Sequence, residues 1–104
     1  MDLPKLIAVG IESTAHTFGA GVVSSEGEIL SNVSRTYTPR TGGIHPREAA
    51  QAHARNAVNV VLEALSRAGI DATAVDVIAF SQGPGLGPCL RTGATVARTL
   101  SLAL

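Results

Sequence analysis

The sequence predicts an α/β fold built on a mixed sheet with the strand order 3-2-1-4. Two apolar segments near the start, Leu6–Ile11 and Phe18–Val23, are separated by a short polar loop and so predict a hairpin. A long helical segment then precedes another apolar segment, Val75–Phe80. A strand, helix and strand in succession return the chain parallel to an earlier strand with a right-handed crossover. The fourth strand is therefore expected beside the first.

The three N-terminal strands are expected to form an antiparallel meander. Leu6–Ile11 shows no alternation of apolar and polar residues, which is typical of a central strand buried on both faces. Phe18–Val23 is long enough to pair back against it. Ile29–Tyr37 alternates imperfectly and carries several polar residues, which indicates an edge strand with one solvated face.

A long helix is predicted from Pro46 to a stop at Gly69, because proline suits the first helical position and glycine the C-terminal cap. Apolar residues at helical spacing form one stripe on it. They are Ala50, Ala54, Ala57, Val58, Val61, Leu62, Leu65 and Ala68. Small residues dominate this helix, so a second helix could approach closely. The candidate partner-helix interface consists of Ala50, Ala54, Ala57 and Val61.

A second helix is predicted from about Cys89 to the end of the chain, with Gly93 and Ala97 permitting close packing. Its last residues stay apolar and periodic, although the final carbonyls of a helix need partners. We therefore expect the chain to be the front part of a longer protein.

Composition narrows the classes of function. The chain has 104 residues, of which 45% are hydrophobic and 3% aromatic, so it is one small domain or part of a larger one. Eight basic and eight acidic residues cancel, which argues against a free-standing nucleic-acid-binding domain. The single cysteine excludes an intramolecular disulfide and fits a reducing cytoplasm. No apolar run approaches the roughly 20 residues of a membrane span, so no membrane partner is expected.

The polar loop between the first two strands is the first candidate site. It offers the hydroxyls of Ser13, Thr14 and Thr17 and the carboxylate of Glu12. Such a turn can present N–H and O–H groups to a phosphate, with the carboxylate available for a cation or a water. The alternative is an ordinary polar hairpin turn.

The glycine- and proline-rich loop Ser81–Pro88 is the second candidate site. It joins a strand end to a helix N-terminus, where free N–H groups and the helix dipole favour anions. It lacks the lysine of a Walker loop, and Pro88 breaks the dinucleotide pattern G-x-G-x-x-G. A purely structural connection stays open as the alternative.

The histidines and the cysteine give no metal or catalytic site. His45 and His53 are eight residues apart, which is not the spacing of a helical zinc pair, and with His16 they are expected to be structural or surface residues. Cys89 lies at a helix start, which would lower its pKa. We nevertheless interpret it as a packed thiol.

Three blocks of the sequence resemble one family. Gly10–Thr17, Gly42–Ala50 and Ser81–Pro88 are similar, in this order, to blocks of the tRNA adenosine threonylcarbamoyltransferases (TsaD/Gcp, formerly called O-sialoglycoprotein endopeptidases). The His45–Arg47 sequence, His-Pro-Arg, resembles the archaeal and eukaryotic branch, the catalytic subunit of the KEOPS complex. The blocks are distributed over most of the chain, from Gly10 to Pro88.

The resemblance implies an actin/sugar-kinase/Hsp70-like fold with two lobes around a nucleotide cleft. Residues 1–104 would be the N-terminal part of the first lobe. The family transfers a threonylcarbamoyl group from its adenylate to the amino group of the adenosine beside the tRNA anticodon. The residues that would face phosphate or substrate are Glu12, Ser13, Thr14, His16, Thr17, Gly83 and Gly85.

The resemblance also implies what lies outside these residues. The family's divalent metal, iron or zinc, is held by an H-x-x-x-H pair, which would follow the last helix, and by a distant aspartate. The adenosine-binding segments belong to the second half of the family. We therefore predict no catalytic residue, metal or cofactor in this chain, and no activity for it alone.

The implied partners of the full-length protein are tRNA, the small dimerising KEOPS subunit and the Bud-type kinase. The alternative function is a helix-pairing module that binds the dimerising subunit or a second copy of this chain. A protease is disfavoured because no nucleophile-base pair is found. The His-Pro-Arg and Ser-Gln-Gly-Pro-Gly blocks argue against half of a sugar or acetate kinase.

Overall fold

A computed structural model describes residues 3–104. Its strands are β1 (Ile7–Ser13), β2 (Thr17–Ser24), β3 (Ile29–Thr36) and β4 (Val77–Phe80). Its helices are α1 (Pro46–Ala68), a short 3-10 helix (Ala72–Ala74) and α2 (Gly87–Ala103). In this part of the chain, neither α-helix combines the length and the apolar character needed to cross a bilayer.

The sheet confirms the predicted order, β3-β2-β1-β4. β1 pairs antiparallel with β2 and parallel with β4, and β2 pairs antiparallel with β3 at the edge. The hairpin is tighter than predicted, because Glu12 pairs with Gly19 and Ser13 pairs with Phe18. Glu12 and Ser13 therefore belong to β1, and Thr17 is the first residue of β2. The turn consists of residues 14–16.

β4 begins two residues later than predicted. The segment before it forms the 3-10 helix, which the Asp71 carboxylate caps by accepting the Thr73 amide at 3.0 Å. Asp76 then ties this segment to β1, since its carboxylate accepts the Ile7 amide and its own amide donates to the Ile7 carbonyl, both at 2.8 Å. These bonds fix the register at which β4 joins the sheet.

Both α-helices pack on the same face of the sheet, and the core lies between. Alternate residues of β1 and β2 point into it, as their period-two burial shows. The buried apolar cluster contains Ile7, Val9, Ile11, Phe18, Ala20, Val22, Val33, Ala57, Val60, Val61, Ala64 and Leu65. Aliphatic side chains dominate it, and Phe18 is its one aromatic member.

α1 has the predicted ends but a different buried face. It starts at Pro46, and the Gly69 cap adopts a left-handed conformation (φ 67°) that lets its amide donate to the Leu65 and Ser66 carbonyls. The residues buried on it are Ala49, Ala52, His53, Ala57, Val60, Val61, Ala64 and Leu65. The predicted apolar stripe is therefore displaced around the helix from the buried face, because it includes Val58 and Leu62, which are exposed. Alanine and valine cover a broad arc of this helix, wider than its buried face, so apolar spacing alone could not identify that face.

α2 begins at Gly87, two residues before the predicted start, and it approaches β1 very closely. A Cβ atom placed on Gly93 would lie 2.9 Å from the Cβ of Ser13. That separation is too short for any side chain, so glycine at this position sets the distance between α2 and the sheet. Ala97, one turn further on, is also buried against the neighbouring elements.

Candidate phosphate-facing loops

The two candidate loops lie side by side at one edge of the sheet. One follows β1 and the other follows β4, and because these strands are parallel their carboxyl ends meet at the same edge. The Leu86 amide donates to the Thr14 carbonyl at 2.7 Å. The Ser81 hydroxyl accepts the Ser13 amide at 3.3 Å. The loops therefore form one continuous surface.

A glycine permits this contact. A Cβ atom on Gly85 would lie 2.7 Å from the Thr14 carbonyl oxygen and 3.0 Å from the Thr14 Cα. The obstacle is backbone rather than a movable side chain, so no other residue fits without separating the loops. Gly83 lies two residues earlier, is exposed, and precedes the cis peptide bond to Pro84.

Ser13 does not lie in the exposed loop where the sequence predicts it. Its side chain is buried, and its hydroxyl donates to the Cys89 carbonyl in the first turn of α2 at 2.8 Å. The residue belongs to the inward face of β1, because hairpin pairing continues one residue further than the apolar run indicates. Ser13 therefore joins strand to helix, and its hydroxyl does not face a ligand.

The other predicted loop residues lie at the surface or are partly exposed. Glu12 is exposed, and its carboxylate accepts bonds from the amide and the hydroxyl of Thr14. His16 is exposed, and its carbonyl accepts the Tyr37 amide at 2.6 Å. The Thr17 hydroxyl lies 3.2 Å from that of Thr36 on the neighbouring strand. Glu12 thus stiffens the turn from within.

Backbone donors supply the positive character of this surface. Within residues 3–104, the amides of Gly85 and Gly87 have no protein acceptor. Gly87 opens α2, so the positive end of the helix dipole adds to these donors. The Arg91 guanidinium lies beside it, with one nitrogen 3.4 Å from the Cβ position of Gly87. Free amides, a helix start and a guanidinium together favour an anion.

Two buried residues beneath the loops were not expected to contribute. His53 is fully buried on α1, and its Nε2 lies 2.6 Å from the Ala15 carbonyl oxygen. The Cys89 sulfur lies 3.5 Å from the same oxygen. His53 lies four residues from both Ala49 and Ala57, but the apolar residues of α1 cover too wide an arc for that spacing to single out the buried face.

Cys89 is a packed thiol, as predicted, but its pKa moves in the opposite direction from that expected at a helix start. Burial raises the pKa of the thiol, because desolvation disfavours the thiolate. This desolvation outweighs the lowering of the pKa that the helix dipole would cause, because the Cys89 side chain is buried in the interior. Cys89 therefore holds its proton and is not set up as a nucleophile.

The metal implied by the resemblance does not fit the described residues. Within residues 3–104, no three histidine, cysteine or acidic side chains come together as a metal site would need. His16 and His45 are exposed, whereas His53 bonds to a carbonyl in the interior. No step of the chemistry is therefore assigned to a metal held by this part of the chain.

Three of the four predicted partner-helix residues line a groove between α1 and α2. Ala54, Ala57 and Val61 form its α1 wall with two further side chains, and Ala50 is half-buried one turn earlier. The groove has a volume of about 570 Å³. Val58 and Leu62 on its rim are 66% and 57% exposed. Large aliphatic side chains left in water along one groove indicate a surface suited to a partner.

The α2 wall of this groove is more apolar than its composition indicates. Thr92, Thr95 and Thr99 line it, and each hydroxyl donates to the carbonyl four residues earlier, at 3.0, 2.9 and 2.8 Å. These hydroxyls are satisfied within the helix, so the groove needs no polar partner for them. Their methyl groups remain available for packing.

Comparison with known proteins identifies a family. A family model described as tRNA N6-adenosine threonylcarbamoyltransferase (TsaD) matches residues 28–104. A protein of that name from Thermofilum pendens is 59% identical over 97 residues, and one from Methanopyrus kandleri is 56% identical over 100. These matches cover 93% and 95% of this chain but 29% of each relative. The chain thus spans less than a third of their length.

A longer relative and a solved structure extend the comparison. A Methanosarcina mazei protein described as a probable bifunctional tRNA threonylcarbamoyladenosine biosynthesis protein is 53% identical over 105 residues, covering 98% of this chain and 19% of that protein. YeaZ from Pseudomonas aeruginosa has a similar fold, with a TM-score of 0.67 at 24% identity. That match covers 94% of this chain and 39% of YeaZ, and it supports the fold alone.

The contact between the loops can be tested by replacing Gly85 with alanine. Gly85→Ala is expected to lower the free energy of unfolding by about 1–3 kcal/mol, because the new Cβ overlaps the Thr14 backbone. Gly87→Ala is the matched control, since its Cβ would meet only the movable end of Arg91. Urea denaturation of both variants measures the difference. Equal stability of the two variants would contradict the contact.

Proposed function

Because the chain belongs to the tRNA N6-adenosine threonylcarbamoyltransferase family, we propose that it forms the N-terminal part of the first lobe of such an enzyme. The joined loops, residues 14–17 and 83–88, would face the phosphate of the threonylcarbamoyl-adenylate. The observation that carries this proposal is the set of free amides at Gly85 and Gly87, at the start of α2 and beside the Thr14 turn. That arrangement suits a phosphate.

The chemistry assigned to these loops is electrostatic. In the proposed transfer the adenosine amine forms a C–N bond to the carbonyl carbon and loses one proton to solvent. The C–O bond to the adenylate breaks, and AMP leaves with the electron pair. Negative charge then grows on the departing phosphate. Fixed amides and the helix start would stabilise that charge without reorganising, because they are held by the contacts of Thr14 with Leu86.

The divalent metal, the adenosine-binding segments and the tRNA contacts belong to the longer protein in this proposal. Iron or zinc would be bound by residues outside the described chain, where it could polarise the reacting carbonyl. The Bud-type kinase and tRNA would likewise meet the assembled protein. A cytoplasmic location is part of the proposal, since a single free cysteine, Cys89, fits a reducing compartment.

The function is tested by threonylcarbamoylation of tRNA. A protein that joins this chain to the remaining segments of a full-length archaeal relative is expected to modify tRNA when threonylcarbamoyl-adenylate is supplied. Residues 1–104 alone are expected to give no modified adenosine, measured by mass spectrometry of digested tRNA. Transfer by the 104-residue chain alone would contradict the assignment of catalysis to the missing segments, and an inactive joined protein would contradict the function.

A second function is favoured by the groove between α1 and α2. We propose that it receives apolar helices of the small dimerising KEOPS subunit, with a second copy of this chain as the competing occupant. The exposed Val58 and Leu62 and the satisfied threonine hydroxyls support a largely apolar partner, and Arg91 is the charged side chain that lines the groove. Two helices added to α1 and α2 would make a four-helix interface, whose side chains pack between those of the groove.

Charge placed in this groove is expected to break the interface. Leu62→Glu should weaken binding of the dimerising subunit by about 2 kcal/mol, roughly thirtyfold in Kd, because the carboxylate would be desolvated against apolar side chains. Asn59→Glu adds the same charge at an exposed position of α1 that does not line the groove. Calorimetry measures binding, and sedimentation measures self-association. An equal loss of binding affinity in Leu62→Glu and Asn59→Glu would contradict the location of the interface.

A further inference from the structure

The carbonyl of Ala15, at the tip of the hairpin turn, is held from beneath by two side chains. The Nε2 of His53 lies 2.6 Å from the Ala15 oxygen, and the Cys89 sulfur lies 3.5 Å from it. His53 comes from α1 and Cys89 from the first turn of α2. His53 is the stronger partner, because a thiol is a weak hydrogen-bond donor.

The tautomer of His53 follows from this bond. A carbonyl oxygen only accepts, so Nε2 must carry the proton. The other ring nitrogen, Nδ1, is buried and has no partner within residues 3–104. An apolar side chain would avoid leaving that polar atom without a partner, so core packing alone does not account for an imidazole here. Its polar role in the described structure is the bond to Ala15.

The bond also fixes the direction of the next amide. In a trans peptide the C=O and N–H groups point in opposite directions, and the Ala15–His16 bond is trans. The Ala15 carbonyl points inward to His53, so the N–H of His16 points outward from the turn. Within residues 3–104 this N–H has no protein acceptor. It is therefore free to donate to a ligand.

We propose that His53 is a positioning residue that holds the Ala15–His16 peptide in the orientation that offers the His16 amide to a phosphate. The inference rests on the proposed function, because the phosphate is the ligand assigned to these loops. The His16 amide would add a donor from the β1–β2 turn to those of Gly85 and Gly87. His53 contacts no substrate itself, and it acts by fixing a backbone group that does.

The test measures the orientation of one amide in the ¹⁵N-labelled protein. In the wild-type protein the His16 N–H is expected to be rigid, with an order parameter of about 0.85 and a residual dipolar coupling that fits the structure. In His53→Leu, which lacks the donor, the order parameter is expected to fall below about 0.6 or the coupling to change. His53→Gln retains an N–H at similar reach and should preserve both. His45→Leu, at the exposed start of α1, is the matched control.

The same samples are then titrated with inorganic pyrophosphate. His53→Leu is expected to bind it about tenfold more weakly than His53→Gln, as loss of one hydrogen bond to a charged group predicts. Thermal melting separates this effect from a loss of folding. Unchanged orientation of the His16 amide in a folded His53→Leu would overturn the inference, and so would a changed orientation with unchanged pyrophosphate affinity.

Two further outcomes keep the inference distinct from the proposed function. In the first outcome, the wild-type chain binds no pyrophosphate, and the His16 amide becomes disordered only in His53→Leu. That result would contradict the proposed phosphate role of the loops and the ligand part of the inference, but it would support the positioning role of His53. In the second outcome, His53→Leu does not fold, and the order of the His16 amide is then judged in His53→Gln. A disordered His16 amide in a folded Gln variant would then overturn the positioning role, because the donor is still present.

Discussion

The contact between the end of β1 and the beginning of α2 is the constraint on which the candidate site depends. The Ser13 hydroxyl donates to the Cys89 carbonyl, and the Leu86 amide donates to the Thr14 carbonyl. These bonds are possible because Gly85 and Gly93 leave room for the Thr14 backbone and the Ser13 side chain. A Cβ at either glycine would separate strand from helix. The site is thus created by the absence of two side chains as much as by the polar groups present.

α1 links this site to a second surface. His53 on its inner face contacts the Ala15 carbonyl, while Val58 and Leu62 line the groove on its outer face. One helix therefore bears both the support of the hairpin turn and one wall of the groove. The two proposed roles, supporting a phosphate-facing turn and binding a dimerising subunit, therefore depend on different residues of the same helix.

Apolar periodicity and turn chemistry were sufficient to predict the fold. The hairpin, the crossover, the helix start at Pro46 and the C-cap at Gly69 each have a local signal, and the sheet order follows from them. The buried face of α1 had no such signal, since its alanines and valines cover an arc wider than that face. Ser13 was placed in the loop because the apolar run stops before it, whereas strand pairing continues through it.

The site was only partly predictable for a physical reason. The exposed residues of the loops carry recognisable hydroxyls and glycines, but their supports are distant in sequence. His53 lies 38 residues from Ala15, and Cys89 lies 74 residues from it. Nothing local in either segment indicates that both side chains reach one carbonyl. The resemblance identified the loops, and only the three-dimensional arrangement identified what holds them.

The most direct test of the central claim, that the two loops form one phosphate-facing surface, is a titration of the ¹⁵N-labelled protein with inorganic pyrophosphate. The account predicts that amide signals of residues 14–17 and 85–87 shift together and give a single Kd. Shifts confined to one loop, different Kd values for the two loops, or changes centred elsewhere would contradict it.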